Sequence, residues 1–281
     1  GFDRAYFGNS GAEANEAAIK LARKYGFLNG GEKRKTIVTL ESSFHGRTLA
    51  TLTATGQEKF HPECFAPYPE GFKTIKANDF EGLKNAFDDT TAALFIECIQ
   101  GEGGVNLLDK QWAQAAAQAA REAGAIVMCD EVQTGVGRTG TFLASDWLGV
   151  HPEVVTLAKG IAGGVPRGAC LFRGKAAEVF VAGDHQSTFA GNPLVCAAGN
   201  VVLETVSDPE FLDRVNHAGD YIRGKITSWN LPIVKEVRGK GLMIGTQIDS
   251  KIKPFDIEVS CLDKGLCTTV AGSDVVRFLP P

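Results

Sequence analysis

Four short, mostly apolar runs, at Thr36–Leu40, Ala92–Glu97, Ala125–Asp130 and Val154–Leu157, alternate along the chain with segments of helical pattern. Runs of this length rich in Val, Ile and Leu read as buried strands, and strands that alternate with helices form a sheet layered by those helices. The chain therefore reads as an α/β protein. Its best-defined unit is KQWAQAAAQAAREAG, a helix from Lys110 closed by Gly124, followed by AIVMCDE, a buried strand that carries Asp130 and Glu131 to its C-terminal end. Ligands of open α/β sheets gather at that edge, so acids placed there are candidates for chemistry.

Other boundaries follow from local signals. Ser10, with Glu13 three residues on, opens an alanine-rich helix to about Tyr25, and a helix start of this kind binds anions. Helices over Pro193–Val206 and Pro209–Trp229 precede a change of composition near Leu231 and Pro232, beyond which IVKEVRGKGLMIGTQI predicts a hairpin. The expected domains are residues 1–230, large, and residues 231–281, part of a smaller one. Neither repeats nor low-complexity tracts occur.

With 281 residues, 44% hydrophobic, the chain can bury one large core or a large and a small one. A net charge of -4 gives no basic stripe for a phosphate backbone, so nucleic acid is not an expected partner. No stretch has the apolar length of a membrane span. Seven cysteines, odd in number and without a C-x-x-C pair, fit free thiols in a reducing compartment and a cytoplasmic protein. No metal is expected. The start at Gly1-Phe2-Asp3-Arg4, without Met or a signal pattern, reads as the start of a fragment.

The most informative residues are Asp130, in Asp130-Glu131-Val132-Gln133-Thr134-Gly135, and Lys159, in Thr156-Leu157-Ala158-Lys159-Gly160. An aldehyde cofactor needs an amine for a Schiff base, and a pyridine nitrogen needs a carboxylate to stay protonated. Alone, an Asp closing a strand is a turn former and a Lys before Gly a solvated loop end. Together, within DE-x-Q-TG-x-GR-x-G and T-x-AKG, they make the chain resemble the class III aminotransferases. The resemblance implies the type I fold of pyridoxal-phosphate-dependent transferases: a large domain on a mainly parallel seven-stranded sheet, and a smaller α+β domain of which only part is present.

It also implies roles, motif by motif. SGAEANE at Ser10–Glu16 matches the family's phosphate loop, so Ser10, Gly11 and Ala12 are expected on the cofactor phosphate. In Phe44-His45-Gly46-Arg47-Thr48, Phe44 is expected on the cofactor ring and Arg47 on a substrate carboxylate, held by a two-point contact that Lys could not copy. His45 is read as structural. Gln133 is expected near the cofactor's phenolic oxygen, and Lys159 and Asp130 are the expected catalytic pair. Glu97-Cys98-Ile99-Gln100-Gly101-Glu102 matches a motif with proline in place of Cys98, a departure expected to alter local geometry. Glu102 is the expected switch carboxylate, with Arg277 its partner. Thr188, in Ser187-Thr188-Phe189-Ala190-Gly191-Asn192-Pro193, is expected to reach the phosphate of a neighbouring subunit's cofactor, which implies a homodimer. Arg167 stands where the family usually has Ile or Leu; it is expected to be exposed and is assigned no role.

By the same likeness the expected reaction moves the terminal amino group of N2-acetylornithine to 2-oxoglutarate, giving N-acetylglutamate 5-semialdehyde and glutamate, a step of arginine biosynthesis. Succinylornithine, ornithine and 4-aminobutyrate are alternative donors, an aminomutase is a further possibility on the same fold, and a non-catalytic cofactor-binding protein is the reading from a different class. The family's chains have an additional N-terminal segment and a C-terminal end that this sequence is expected to lack.

Overall fold

A computed structural model describes all residues, 1–281. Seven strands form the main sheet: β1 (Arg4–Gly8), β2 (Thr36–Leu40), β3 (Phe72–Ile75), β4 (Thr91–Glu97), β5 (Ile126–Asp130), β6 (Val154–Leu157) and β7 (Gly168–Phe172). Their spatial order is β1-β7-β6-β5-β4-β2-β3. Strands β2 to β6 pair in parallel, whereas β7 runs against both of its neighbours. The reason is the connection 158–167, shorter than the dozen or so residues a parallel crossover requires. The four central strands are those the apolar runs predict. Strands β1, β3 and β7 lie outside those four runs: β7 is apolar but built on Gly, Ala and Cys as well as Leu and Phe, and β3 is an edge strand with Lys73 and Thr74 in its middle.

Two helical layers cover the sheet, and the alternation of side chains along β5 assigns its residues to one layer or the other. Ile126 and Met128 pack with Ile19 and Leu21 of α1 (Gly11–Gly30). Val127 and Cys129 face Trp112 and Ala116 of α2 (Lys110–Glu122). Small residues along α2 let its backbone lie close to the sheet, while Trp112, fully buried, fills the larger gap. Each large side chain so buried contributes about 1.5–3 kcal/mol. Helix α1 starts as predicted, with the Ser10 hydroxyl accepting from the Glu13 N–H at 3.2 Å, but continues past Tyr25 to Gly30. The Glu13 carboxylate reaches back to Asn9 rather than to the cap itself.

Two further helices, α3 (Pro193–Val206) and α4 (Pro209–Ser228), lead to a second, antiparallel sheet of β8 (Val234–Lys240), β9 (Met243–Ile248), β10 (Thr269–Ala271) and β11 (Val275–Phe278), in the order β8-β9-β11-β10. Helix α5 (Pro254–Leu262) lies between β9 and β10. Met243, Ala271 and Val275 pack on Ile99 and Val105, just beyond β4, which ties the second sheet to the edge of the first. All seven cysteines are free; Cys98, Cys129 and Cys170 are buried, while Cys64 and Cys267 are exposed. No helix is long and apolar enough to cross a membrane.

Two helical glycines separate packing from helix propensity. A Cβ on Gly26 of α1 would lie 1.9 Å from the Arg34 carbonyl oxygen, whereas one on Gly224 of α4 would meet nothing within 4 Å. Gly26→Ala is expected to destabilise the protein by about 1–3 kcal/mol in spite of alanine's better propensity, and Gly224→Ala to stabilise it by about 0.5–1 kcal/mol, read from urea denaturation midpoints. Equal effects of the two substitutions would contradict this packing.

Candidate active site

The C-terminal ends of β4, β5 and β6 meet the N-terminus of α1 around a cavity of about 470 Å³. Parallel pairing puts Glu97 opposite Asp130 and Asp130 opposite Thr156, so the two acids are neighbours at the sheet edge and Lys159 lies just beyond the end of the next strand. Ser10, Gly11, Ala12, Phe44, Arg47, Asp130, Gln133 and Lys159, all singled out in the sequence, line this cavity together.

Asp130 is buried, and three donors converge on its carboxylate. His45 Nδ1 and Asn15 Nδ2 each lie 2.8 Å from Oδ2, and the Val132 N–H donates to Oδ1 at 3.0 Å. A carboxylate without its proton only accepts, so Nδ1 is the nitrogen of His45 that carries hydrogen. The ring is fixed by stacking on Phe95, with centroids 4.2 Å apart, and its backbone N–H donates to Thr55 Oγ1. Asn15 sits one helical turn beyond Gly11 and so shares its face of α1; it also donates to the His45 carbonyl at 2.6 Å. His45 Nε2 and Asn15 Oδ1 are buried without partners. The next acid, Glu131, points elsewhere: it accepts from the N–H groups of Ala144 and Ser145 and from Thr134 Oγ1, fastening the loop that follows.

Glu97 is a second buried acid of the site, accepting from the Phe44 N–H at 2.9 Å. Its burial, then the neighbouring charge of Asp130, pushes its carboxyl well above the ordinary range. Lys159 has a left-handed backbone, φ 48°, uncommon away from glycine and a mark of local strain. Its side chain opens into the cavity and pairs with no protein group. The surrounding protein desolvates the amine and lowers its pKa, an effect that Asp130, Glu102 and Glu97 only partly oppose. At the start of α1 a Cβ on Gly11 would lie 2.7 Å from Val132 Cγ1, so the approach of the turn to the loop after β5 depends on glycine there.

Glu102 and Arg277 do not line the cavity but form a closed pair beside it, Nη1 to Oε1 2.7 Å. Burial alone would raise the Glu102 carboxyl; Arg277 outweighs it and holds the group below its usual value. Gln133 links the pair to the cavity, donating to Glu102 at 3.2 Å and accepting from Arg277 at 3.0 Å. The Arg47 guanidinium is exposed, 4.2 Å from the centre of the Phe60 ring and 5.5 Å from that of Phe44. Thr188 is exposed and lies outside this cavity.

Arg167 departs from expectation: it is buried, and it lines the cavity. Pairing of β7 with β1 draws the start of β7 against Gly8, so that the Arg167 guanidinium lies over Phe7 and under α3. Asn15, His45 and Glu97 are site residues that sequence reasoning assigned no part. Of these, Asn15 and Glu97 had signals, the first in its helical spacing from Gly11 and the second in its place at the end of a strand next to that of Asp130.

The raised carboxyl of Glu97 has a consequence for stability. From about pH 4.5, where an unperturbed glutamate ionises, an unfolded chain releases this proton while the native protein keeps it, so Glu97 costs stability progressively until pH passes its native pKa. In urea unfolding, the stability of Glu97→Gln relative to the unsubstituted protein is expected to rise with pH over that window and then level off. A pH-independent difference would contradict the assignment.

All 281 residues match the family model described as aminotransferase class-III. The chain is 46% identical over 280 residues to acetylornithine aminotransferase from Caldanaerobacter subterraneus subsp. tengcongensis, covering 99% of this chain and 70% of that protein. It is also 46% identical to the acetylornithine aminotransferase of Haemophilus ducreyi, covering 100% and 70%. Among solved structures, ornithine aminotransferase from Toxoplasma gondii, with partial occupancy of PLP at its active site, superposes with a TM-score of 0.93 at 33% identity, over 100% of this chain and 68% of that one. N-acetylornithine aminotransferase from Stenotrophomonas maltophilia K279a superposes with a TM-score of 0.83 at 33% identity, over 99% and 69%. With a matching fold, a family model spanning its whole length and a cavity that gathers the family's motifs, the chain belongs to the class III aminotransferases.

Proposed function

We propose that this aminotransferase moves the terminal amino group of N2-acetylornithine to 2-oxoglutarate, with pyridoxal 5′-phosphate as cofactor. The observation that carries the reading is the convergence of Asp130 and Lys159, from neighbouring strand ends, on one cavity at the N-terminus of α1. The donor is supported by the 46% identity to two acetylornithine aminotransferases.

The residues present fit the cofactor. The turn at Gly11 has no room for a side chain, leaving the backbone N–H groups of a 20-residue helix start as the phosphate's partners. Lys159 is an unpaired amine with a depressed pKa, suited to meet an aldehyde. When bound, the cofactor supplies that aldehyde and a ring that withdraws electrons from the substrate carbon bearing the amino group.

The remaining work falls to the chain. Asp130 holds a proton at the ring nitrogen, itself kept in place by His45 and Asn15 as positioning residues. Phe44 and Gln133, which line the same cavity, would hold the cofactor's ring and its phenolic oxygen. Lys159, with its amine depressed, would move the proton from the substrate carbon that bears the amino group to the cofactor's aldehyde carbon, and in the opposite direction when 2-oxoglutarate is the acceptor. Arg47 clamps a substrate carboxylate. The Glu102–Arg277 pair, closed at 2.7 Å, presents no net charge to an amine donor, and when it opens it frees Arg277 for the second carboxylate of glutamate.

The same reading makes the protein a homodimer. Thr188, exposed and outside this cavity, would reach the cofactor phosphate of a second copy, and that copy would cover the apolar side chains Phe189 and Leu194, which are exposed here. Its seven free thiols fit a cytoplasmic setting.

Lys159→Ala is expected to abolish both turnover and the cofactor's Schiff-base absorbance; retention of either removes Lys159 from this role. The donor is tested by kcat/KM for acetylornithine, succinylornithine, ornithine and 4-aminobutyrate with 2-oxoglutarate as acceptor. Acetylornithine is expected to lead, and a preference for ornithine or 4-aminobutyrate rejects the assignment.

A further inference from the structure

Arg167, to which the sequence assigned no role, is buried to 7% exposure. Burying a guanidinium is costly unless an anion and hydrogen bonds accompany it. Within the chain that compensation is partial. Nη1 donates to the Val195 carbonyl at 3.2 Å, and the guanidinium lies 4.5 Å from the centre of the Phe7 ring. Nε is buried without a partner, and Arg167 takes part in none of the protein's ion pairs.

Its surroundings make room for it. A Cβ on Gly199 of α3 would fall 2.1 Å from Nη1, so the helix leaves a gap where the guanidinium sits. The adjoining Gly168 lies against the Ser10 backbone, since a Cβ there would fall 2.2 Å from the Ser10 carbonyl oxygen. These two contacts hold Arg167 next to the turn that opens α1, and both the arginine and the turn line the same cavity. A buried cation without a counter-ion beside the positive end of a 20-residue helix is an arrangement that an anion completes.

We propose that Arg167 binds the phosphate monoester of the cofactor, adding a fixed cation to the backbone N–H groups at the start of α1. The assignment rests on the cofactor reading above and goes beyond it, because that reading leaves the phosphate to backbone N–H groups alone. A guanidinium offers a phosphate two parallel N–H groups, which an aliphatic side chain cannot replace.

The test is equilibrium binding of pyridoxal 5′-phosphate and of pyridoxal, which lacks the phosphate, to the unsubstituted protein and to Arg167→Ile and Arg167→Lys, with inorganic phosphate as competitor. Arg167→Ile is expected to weaken pyridoxal 5′-phosphate about tenfold or more, to leave pyridoxal unchanged and to raise the phosphate concentration needed for competition. Arg167→Lys should recover part of the loss. If Arg167→Ile does not fold, Gly199→Ala, which displaces the guanidinium without removing it, must show the same selective loss. Equal weakening of both ligands would make the residue structural, and unchanged pyridoxal 5′-phosphate affinity, even with an altered KM for the donor, would also overturn the proposal. Failure of the unsubstituted protein to bind pyridoxal 5′-phosphate would remove the cofactor reading itself, and this proposal with it.

Discussion

The carboxylate of Asp130 is the constraint on which the rest of the site depends. It lies buried at the end of a central strand, where an unpartnered charge would be costly, and its three donors come from separate parts of the chain. Asn15 fixes the rotation of α1 about its axis, and that rotation aims Gly11 and Ala12 into the same cavity. His45 fixes the loop that carries Phe44 and Arg47. Satisfying one buried carboxylate thereby orders the groups proposed for the cofactor's phosphate and ring and for the substrate's carboxylate. The cavity is preorganised by packing as well, since the His45 ring rests on Phe95 of the core.

Around this fixed point the charges are unequally committed. Burial and then the charge of Asp130 push the Glu97 carboxyl upward, toward its neutral form, whereas Arg277 outweighs burial and holds the Glu102 carboxyl down. Lys159 has neither kind of partner. A lysine left unpaired beside Asp130, Glu102 and Glu97, with its amine depressed by desolvation, is free for the proton transfer proposed above. The Glu102–Arg277 pair also joins the two sheets, because Glu102 follows β4 while Arg277 belongs to β11. Opening or closing this pair therefore acts where the second sheet packs on the first.

What the sequence made legible followed from local physics. The apolar runs of β4 and β5 and the alanine-rich α2 announce themselves because burial on both faces suppresses polar alternation, and their ends locate Asp130 and Glu97. Edge strands such as β3, with Lys73 and Thr74 inside them, give no such signal. The contacts of Asn15 and His45 with Asp130 span 115 and 85 residues, distances over which local pattern carries no information. Arg167 reads from the sequence as a surface residue; the pairing of β7 with β1 and the gap at Gly199 reveal where it goes. Motif resemblance located Glu102, Gln133 and Arg277 and expected the first and last as partners, but the place of Gln133 between them required the folded second sheet.

The account turns on Asp130 holding a proton at the nitrogen of the bound cofactor. The most direct measurement is the ¹⁵N NMR shift of pyridoxal 5′-phosphate labelled at its ring nitrogen and bound to the protein near neutral pH, compared with Asp130→Asn. A protonated nitrogen in the unsubstituted protein and an unprotonated one in the variant is the predicted result. An unprotonated nitrogen in both, or a protonated one that survives the loss of the carboxylate, would contradict it.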